Sequence, residues 1–153
     1  MPEAEIKLDN LSKCLEEAYL LYFNTRKDIK LNLIKPENDI YFHFDTLQIS
    51  RCFSNLIKNA IEAVEKIPNP AVEVLMATDD KNIKIEIKDN GVGIDEKMLS
   101  KIFEPYFTTK TKGTGLGLSI VKRIIEDHGG KIKIEKNKNM AGTTSLINFE
   151  YNA

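Results

Sequence analysis

Apolar residues recur along this 153-residue chain with two periods, and the switches between them mark out its elements. Over 10–25, NLSKCLEEAYLLYFNT, Leu11, Leu15, Ala18, Leu21 and Tyr22 stand at helical spacing, with Asn10 or Ser12 as the cap. The segments IKLNLIK (29–35) and IYFHF (40–44) alternate as half-buried strands do, and the turn residues Pro36, Asn38 and Asp39 between them predict a hairpin. Asp45 or Thr46 then caps a helix expected to reach about Lys66, with Ile49, Phe53, Leu56, Ile57, Ala60, Ile61 and Val64 on its apolar face. Pro68 and Pro70 stop it. AVEVLMAT (71–78) and IKIEIKD (83–89) alternate around DDKN and predict a second hairpin. From 90 to 115 the pattern dissolves into glycine, threonine and lysine. A last helix over 116–128 stops at Gly129 and Gly130, and strands near 131–136 and 144–151 follow, joined through NKNMAG.

This order predicts one α+β domain over 1–153: a two-layer α/β sandwich, with a mixed sheet of about five strands and three long helices on one face. Composition leaves that picture unchanged. With 22 basic residues against 23 acidic ones the net charge is -1, which gives no electrostatic footprint for nucleic acid or an anionic membrane. Cys14 and Cys52 both fall in helical patterns and read as free, partly buried thiols of a reducing compartment. The apolar runs are too short to span a bilayer and MPEAEIKLDN has no signal-peptide core, so a cytoplasmic location is expected, as a soluble protein or the soluble part of a membrane protein.

Candidate chemistry gathers in three places. Arg51, Asn55, Asn59 and Glu62 form a stripe on the second long helix, which a solvated face would also explain. Asparagine, however, competes for backbone bonds in mid-helix, and its amide oxygen is a hard ligand that suits Mg²⁺. DNGVGID (89–95) is ordinary turn chemistry, yet its second glycine and Ile94 describe a backbone passing close to something flat. A buried aspartate there can accept a hydrogen bond from the amino group of a base. The acidic spacing of an EF-hand is missing.

KTKGTGLGLSIV (110–121) puts three glycines before a helix. A Walker loop needs Lys-Ser or Lys-Thr after its last glycine, whereas Gly117 is followed by Leu118 and Ser119; a dinucleotide fingerprint begun at Gly113 would need glycine where Leu118 stands. What remains is a glycine-rich helix entry, whose free N–H groups favour an anion such as phosphate, or a plain flexible loop.

Together these pieces resemble the ATP-binding catalytic domain of sensor histidine kinases, with the Bergerat fold of the superfamily that includes DNA gyrase, the MutL repair ATPase and a heat-shock chaperone. The motifs appear in family order: NLIKNAIEAV (55–64), DNGVGI (89–94), IFEPYFTTK (102–110), GTGLGLSIVKRI (113–124) and GTTSLINF (142–149). The NAIEA variant is similar to nitrogen-regulation sensor kinases. The resemblance implies ATP and Mg²⁺ as ligands. Asn59 would be the metal ligand and Asn55 a phosphate or metal-water contact, with Lys58 and Glu62 beside them. Asp89 would bond the exocyclic amine of adenine, with Gly91, Gly93 and Ile94 at the base and Thr143 or Thr144 on its other side. A mobile lid over 96–115 would be anchored by Phe103 and Phe107. Thr108, Thr109 and Lys110 would reach toward the phosphates, Lys110 acting in catalysis with Asn55 and Asn59. Gly113, Thr114, Gly115, Leu116, Gly117 and Leu118 would form the hinge and the phosphate-facing helix start.

The resemblance also implies transfer of the γ-phosphoryl group to a histidine on a separate dimerisation domain, then relay to a response regulator. His43 and His128 do not fit the phosphoacceptor pattern, so that domain is expected outside this chain, and the chain alone is expected to be monomeric. Superfamily members that hydrolyse ATP fast carry glutamate four residues before the metal asparagine; here that residue is Asn55, which implies a pocket that holds ATP with little hydrolysis. Many of these kinases carry lysine or arginine where this chain has Glu62, leaving Lys110, then Lys58 or Arg51, to meet the terminal phosphates. A serine kinase resembling anti-sigma factors is the alternative, and a non-catalytic ATP-binding module is a third reading.

Overall fold

Each periodic segment becomes an element in the computed structural model, which describes residues 3–105, 107 and 117–151. In chain order these are β1 (Lys7–Asn10), α1 (Leu11–Phe23), β2 (Lys30–Ile34), β3 (Tyr41–Phe44), α2 (Thr46–Val64), β4 (Ala71–Thr78), β5 (Asn82–Asp89), α3 (Glu96–Leu99), α4 (Gly117–Asp127), β6 (Lys131–Lys136) and β7 (Thr143–Glu150). Five strands form one sheet in the order β2-β4-β5-β7-β6. Among the described strands of this sheet only the β2-β4 pair is parallel, so the sheet is mixed, as expected.

The register sorts the side chains by face. Leu31 opposes Val72, Val74 opposes Ile87 and Ile85 opposes Ile147, all on the face that α1, α2 and α4 cover. On the other face Glu73 opposes Lys88 and Lys84 opposes Asn148, so that face meets water. The α2 helix lies in the middle of the helical layer, packed on α1, α4, β4 and β5. Its apolar stripe from Ile49 to Val64 is buried as its spacing requires, and each large side chain contributes about 2 kcal/mol. Asp45 caps it by accepting from the Gln48 N–H at 3.0 Å, while its other oxygen takes the Glu5 N–H at 2.8 Å. Those donors hold the Asp45 carboxyl below the ordinary carboxylate range.

Some expectations need correction. The segments 29–35 and 40–44 do not form a hairpin: β2 pairs with β4, and β3 pairs with β1 in a separate two-stranded ribbon. Alternation identified both strands, but it carries no information about their partners. The ribbon strand β1 was not anticipated, because KLDN has no apolar alternation and is held by its ladder to β3. On α1 the buried face is Leu11, Cys14, Leu15, Ala18 and Tyr19, whereas Leu21 lies off that stripe and is 57% exposed. Asn10 is the α1 cap, and Ser12 is instead buried, its hydroxyl accepting from the Ile40 N–H at 2.8 Å. Both cysteines are free and fully rather than partly buried, and burial pushes each thiol up to about 12, which makes them inert packing groups at neutral pH.

Candidate functional site

Three elements meet, the first of them a stretch of α2. Asn55 and Asn59 stand one turn apart beside the apolar stripe, both half-buried. The Asn59 amide donates to Asn55 Oδ1 at 3.1 Å, which turns Asn59 Oδ1 to the other side of its amide. Lys58 is exposed, and Glu62 is half-buried near Tyr22. Burial, with a smaller effect of the Glu62 charge, raises the Tyr22 hydroxyl above its ordinary range.

The second element is the end of β5. Asp89 is only 6% exposed, because the alternation that buries Ile83, Ile85 and Ile87 continues to it. Its Oδ1 accepts the Gly91 N–H at 2.9 Å and the Thr143 N–H at 3.3 Å. Burial still raises this carboxyl above the ordinary carboxylate range, against the pull of those two donors. Because both protein donors converge on Oδ1, Oδ2 is the oxygen that can take a donor from a ligand. Gly91 brings the loop onto α2: a Cβ there would lie 2.4 Å from the Ala63 carbonyl oxygen, so only glycine allows this approach. Gly93 and Ile94, both half-buried, continue the loop past the site.

The third element is the start of α4. A Cβ on Gly117 would lie 2.9 Å from Asn55 Nδ2, so the first turn of α4 faces the asparagine pair. Leu118 packs against the core from the same turn. Between the second and third elements, α3 is capped by Asp95, which accepts the Lys97 N–H at 3.1 Å. This short helix was not anticipated; its cap is the Asp of DNGVGID, already used in reading the preceding turn. Phe103 is half-buried under Lys122, whose Nζ lies 5.3 Å from the ring centroid, and Ile102 anchors this segment in the interior. Phe107 is half-buried and donates its N–H to the Glu104 carbonyl at 3.2 Å.

The two threonines separate. Thr143 gives its N–H to Asp89, whereas Thr144 faces the other side of the sheet and donates its hydroxyl to Asn137 Oδ1. Asn137 was not among the sequence candidates; it sits at a strand end, where asparagine reads as turn chemistry. Thr108, Thr109, Lys110, Gly113, Thr114, Gly115 and Leu116 lie outside the described residues. Among the described residues no three or more His, Cys, Asp or Glu side chains gather into a metal cluster. Nor is any helix among them long and apolar enough to cross a membrane.

A half-buried amide pair, a carboxylate with one committed oxygen, and a helix N-terminus facing the pair suit a ligand with an amino-bearing base at one end and phosphates at the other. Comparison with known proteins agrees. Residues 44–152 match the family model described as histidine kinase-, DNA gyrase B-, and HSP90-like ATPase. Sporulation kinase A of Bacillus subtilis (strain 168) is 40% identical over 143 residues, which are 92% of this chain and 23% of that protein. A putative NtrY-like sensor histidine kinase of Rickettsia bellii (strain RML369-C) is 41% identical over 108 residues, 71% of this chain and 18% of that protein. The chain thus spans about a quarter or less of these relatives. Among solved structures, the nucleotide-free catalytic domain of histidine kinase ThkA superposes with a TM-score of 0.84 at 34% identity, covering 95% of each chain. ThkA in complex with the response regulator TrrA superposes with a TM-score of 0.80 at 28% identity, covering 95% of this chain and 41% of that one. The chain belongs to the histidine kinase-, DNA gyrase B- and HSP90-like ATPase family, as an ATP-binding domain of the histidine-kinase type.

Proposed function

We propose that the chain is the single ATP-binding catalytic domain of a sensor histidine kinase, which binds Mg-ATP and delivers the γ-phosphoryl group to a histidine on a separate dimerisation domain. The observation that carries this reading is that Asp89 binds the loop at Gly91, which packs on Ala63 of α2, one turn beyond the bonded Asn55–Asn59 pair that the start of α4 faces. Asp89 Oδ2 accepts the adenine amino group, with Gly91, Gly93, Ile94 and Thr143 around the base. Asn55 and the α4 start at Gly117 face the phosphates. The fit to Mg²⁺ rests on the asparagine pair: the bond from Asn59 to Asn55 orients a hard amide oxygen of the kind that ion takes. When bound, the ion would supply charge neutralisation on the phosphate oxygens.

The remaining work is positioning. The segment holding Phe103 and Phe107 would anchor a lid over 96–115, from which Lys110, with Thr108 and Thr109, would contact the phosphates. Lys58 and Arg51, both on α2, are the other candidate cations. No carboxylate stands at position 55 to activate water, so the pocket holds ATP until an acceptor arrives. The histidine nitrogen of the partner domain is the nucleophile, and the product is relayed to a response regulator; ThkA, the relative with such a regulator bound, supports that partner. Inert thiols and the need for ATP favour the cytoplasm. The isolated domain is expected to be monomeric.

Incubation with γ-labelled ATP, Mg²⁺ and a histidine-bearing helical domain of this kinase class is expected to yield acid-labile protein-bound label. Acid-stable label on serine of an added antagonist protein, with none on histidine, would instead establish a serine kinase of the same superfamily.

A further inference from the structure

The β5-β7 ladder stops at Lys88 opposite Thr144, one residue short of Asp89. Beyond that point the Asp89 carbonyl is taken by a side chain: Asn137 Nδ2 donates to it at 2.7 Å and also to the Ala141 carbonyl at 3.0 Å. The Asn137 N–H closes the same loop on the Gly142 carbonyl at 3.0 Å, and the Thr144 hydroxyl fixes the amide's orientation by donating to Asn137 Oδ1. The loop so closed presses on Asp89. Gly142 has φ +107, and a Cβ there would lie 2.0 Å from the Asp89 carbonyl oxygen. The next residue, Thr143, supplies one of the two N–H groups on Asp89 Oδ1.

We propose that Asn137, locked by Thr144, is a positioning residue for base recognition: it holds the Asp89 main chain so that the carboxylate presents Oδ2 to the adenine amino group. The inference rests on the assignment of Asp89 as the adenine acceptor. It gives Thr144 a role behind the base site, through Asn137, although its side chain faces away from Asp89. Losing the amide frees the Asp89 peptide to rotate and the 137–142 loop to lift, which degrades the contact at the base and leaves the contacts at α2 and α4 unchanged.

The test is calorimetric titration of the chain with Mg-ATP and with Mg-ITP, whose base carries an oxo group where adenine has the amino group. Asn137→Ala is expected to lower the ATP-over-ITP preference about five- to tenfold, by loss of a half-buried hydrogen bond. Thr144→Val, which keeps the volume and every backbone bond, is expected to lower it about threefold, and Thr144→Ser to restore it. In an Asp89→Asn background Asn137→Ala should change the preference no further. Equal losses for both nucleotides, or unchanged preference in Asn137→Ala and Thr144→Val, would overturn the positioning role, because a merely structural loosening does not discriminate the base. If Asp89→Asn itself leaves the preference intact, the adenine assignment fails and this inference with it; if only the Asn137 and Thr144 variants leave it intact, the inference fails alone.

Discussion

Replacing Asp89 with asparagine is expected to weaken ATP binding about a hundredfold while making the empty domain more stable. The two effects have one cause, the burial of a carboxylate beside, among the described residues, two backbone donors. Both donors reach Oδ1, so an asparagine keeps its oxygen there and must place its NH₂ where Oδ2 was. That group meets the adenine amine donor to donor, and rotating the amide to avoid this would turn the NH₂ against the Gly91 and Thr143 N–H groups. The lost charged acceptor and the new mismatch together cost about 3 kcal/mol, or roughly two decades in Kd.

The stability effect follows from linkage. The folded state raises the Asp89 carboxyl above its unfolded value, so the folded chain binds that proton more tightly than the unfolded one. Stability from this group is therefore full below the unfolded value and is lost as pH rises through the raised folded value. At neutral pH the charged form is a burden that asparagine removes, and the Asp89→Asn melting temperature should exceed that of the parent. At acid pH the difference should shrink. For the parent, ATP affinity should fall on acidification from a pH above the ordinary carboxylate range, as the acceptor becomes protonated. Calorimetric titration and thermal melts across pH 4–8 check both; a variant that melts lower at neutral pH, or still binds ATP like the parent, would contradict the assignment.

The second large effect is expected at Asn59. Asn59→Ala should reduce phosphoryl transfer about 10²–10³-fold, the scale on which one group that stabilises developing charge acts. ATP binding without metal should change little, because the proposed base contact is at Asp89. Folding should not suffer: Asn59 is half-buried on a helix, and alanine is the better helix former by about 0.5 kcal/mol. Asn59→Asp separates metal binding from orientation. An ionised carboxylate keeps a hard oxygen but cannot donate to Asn55 Oδ1, so the 3.1 Å bond that orients the pair is lost. Metal affinity should survive in that variant and transfer should drop. Quench-flow rates of label transfer, beside titrations with and without Mg²⁺, distinguish these outcomes.

Much of the architecture is legible in the chain. The spacing of Ile49, Phe53, Leu56, Ile57, Ala60, Ile61 and Val64 fixes both the presence of α2 and the face it buries, because a single periodic stripe can satisfy only one packing. Alternation likewise revealed β4 and β5 with the DDKN turn that pairs them. It failed where pairing is non-local: β2 and β3 are neighbours in sequence, yet one joins the main sheet in parallel and the other a separate ribbon. No local pattern encodes that choice.

The candidate site shows the same division. Asn55 and Asn59 stood out as amides in mid-helix, and Asp89 through the paired glycines of the turn that follows it. Asn137 did not, because asparagine after a strand is unexceptional until the ladder is seen to end one residue too early. Thr143 and Thr144 were indistinguishable as a pair of letters, and the pleat alone sends one toward Asp89 and the other behind it. Glycines carry part of the site that side chains cannot: Gly91 and Gly142 are positions where any Cβ would strike the backbone of Ala63 or Asp89.

Whether these residues form one ATP pocket is tested most directly by amide-resolved NMR titration of the chain with ATP, first without and then with Mg²⁺. The shifts on adding ATP are expected at Asp89, Gly91, Gly93, Ile94 and Thr143, with Asn55, Asn59 and Gly117 responding further when Mg²⁺ is added. Shifts centred instead on the concavity lined by Leu8, Tyr41, His43, His128 and Tyr151, with Asp89 and Asn59 unmoved, would contradict it.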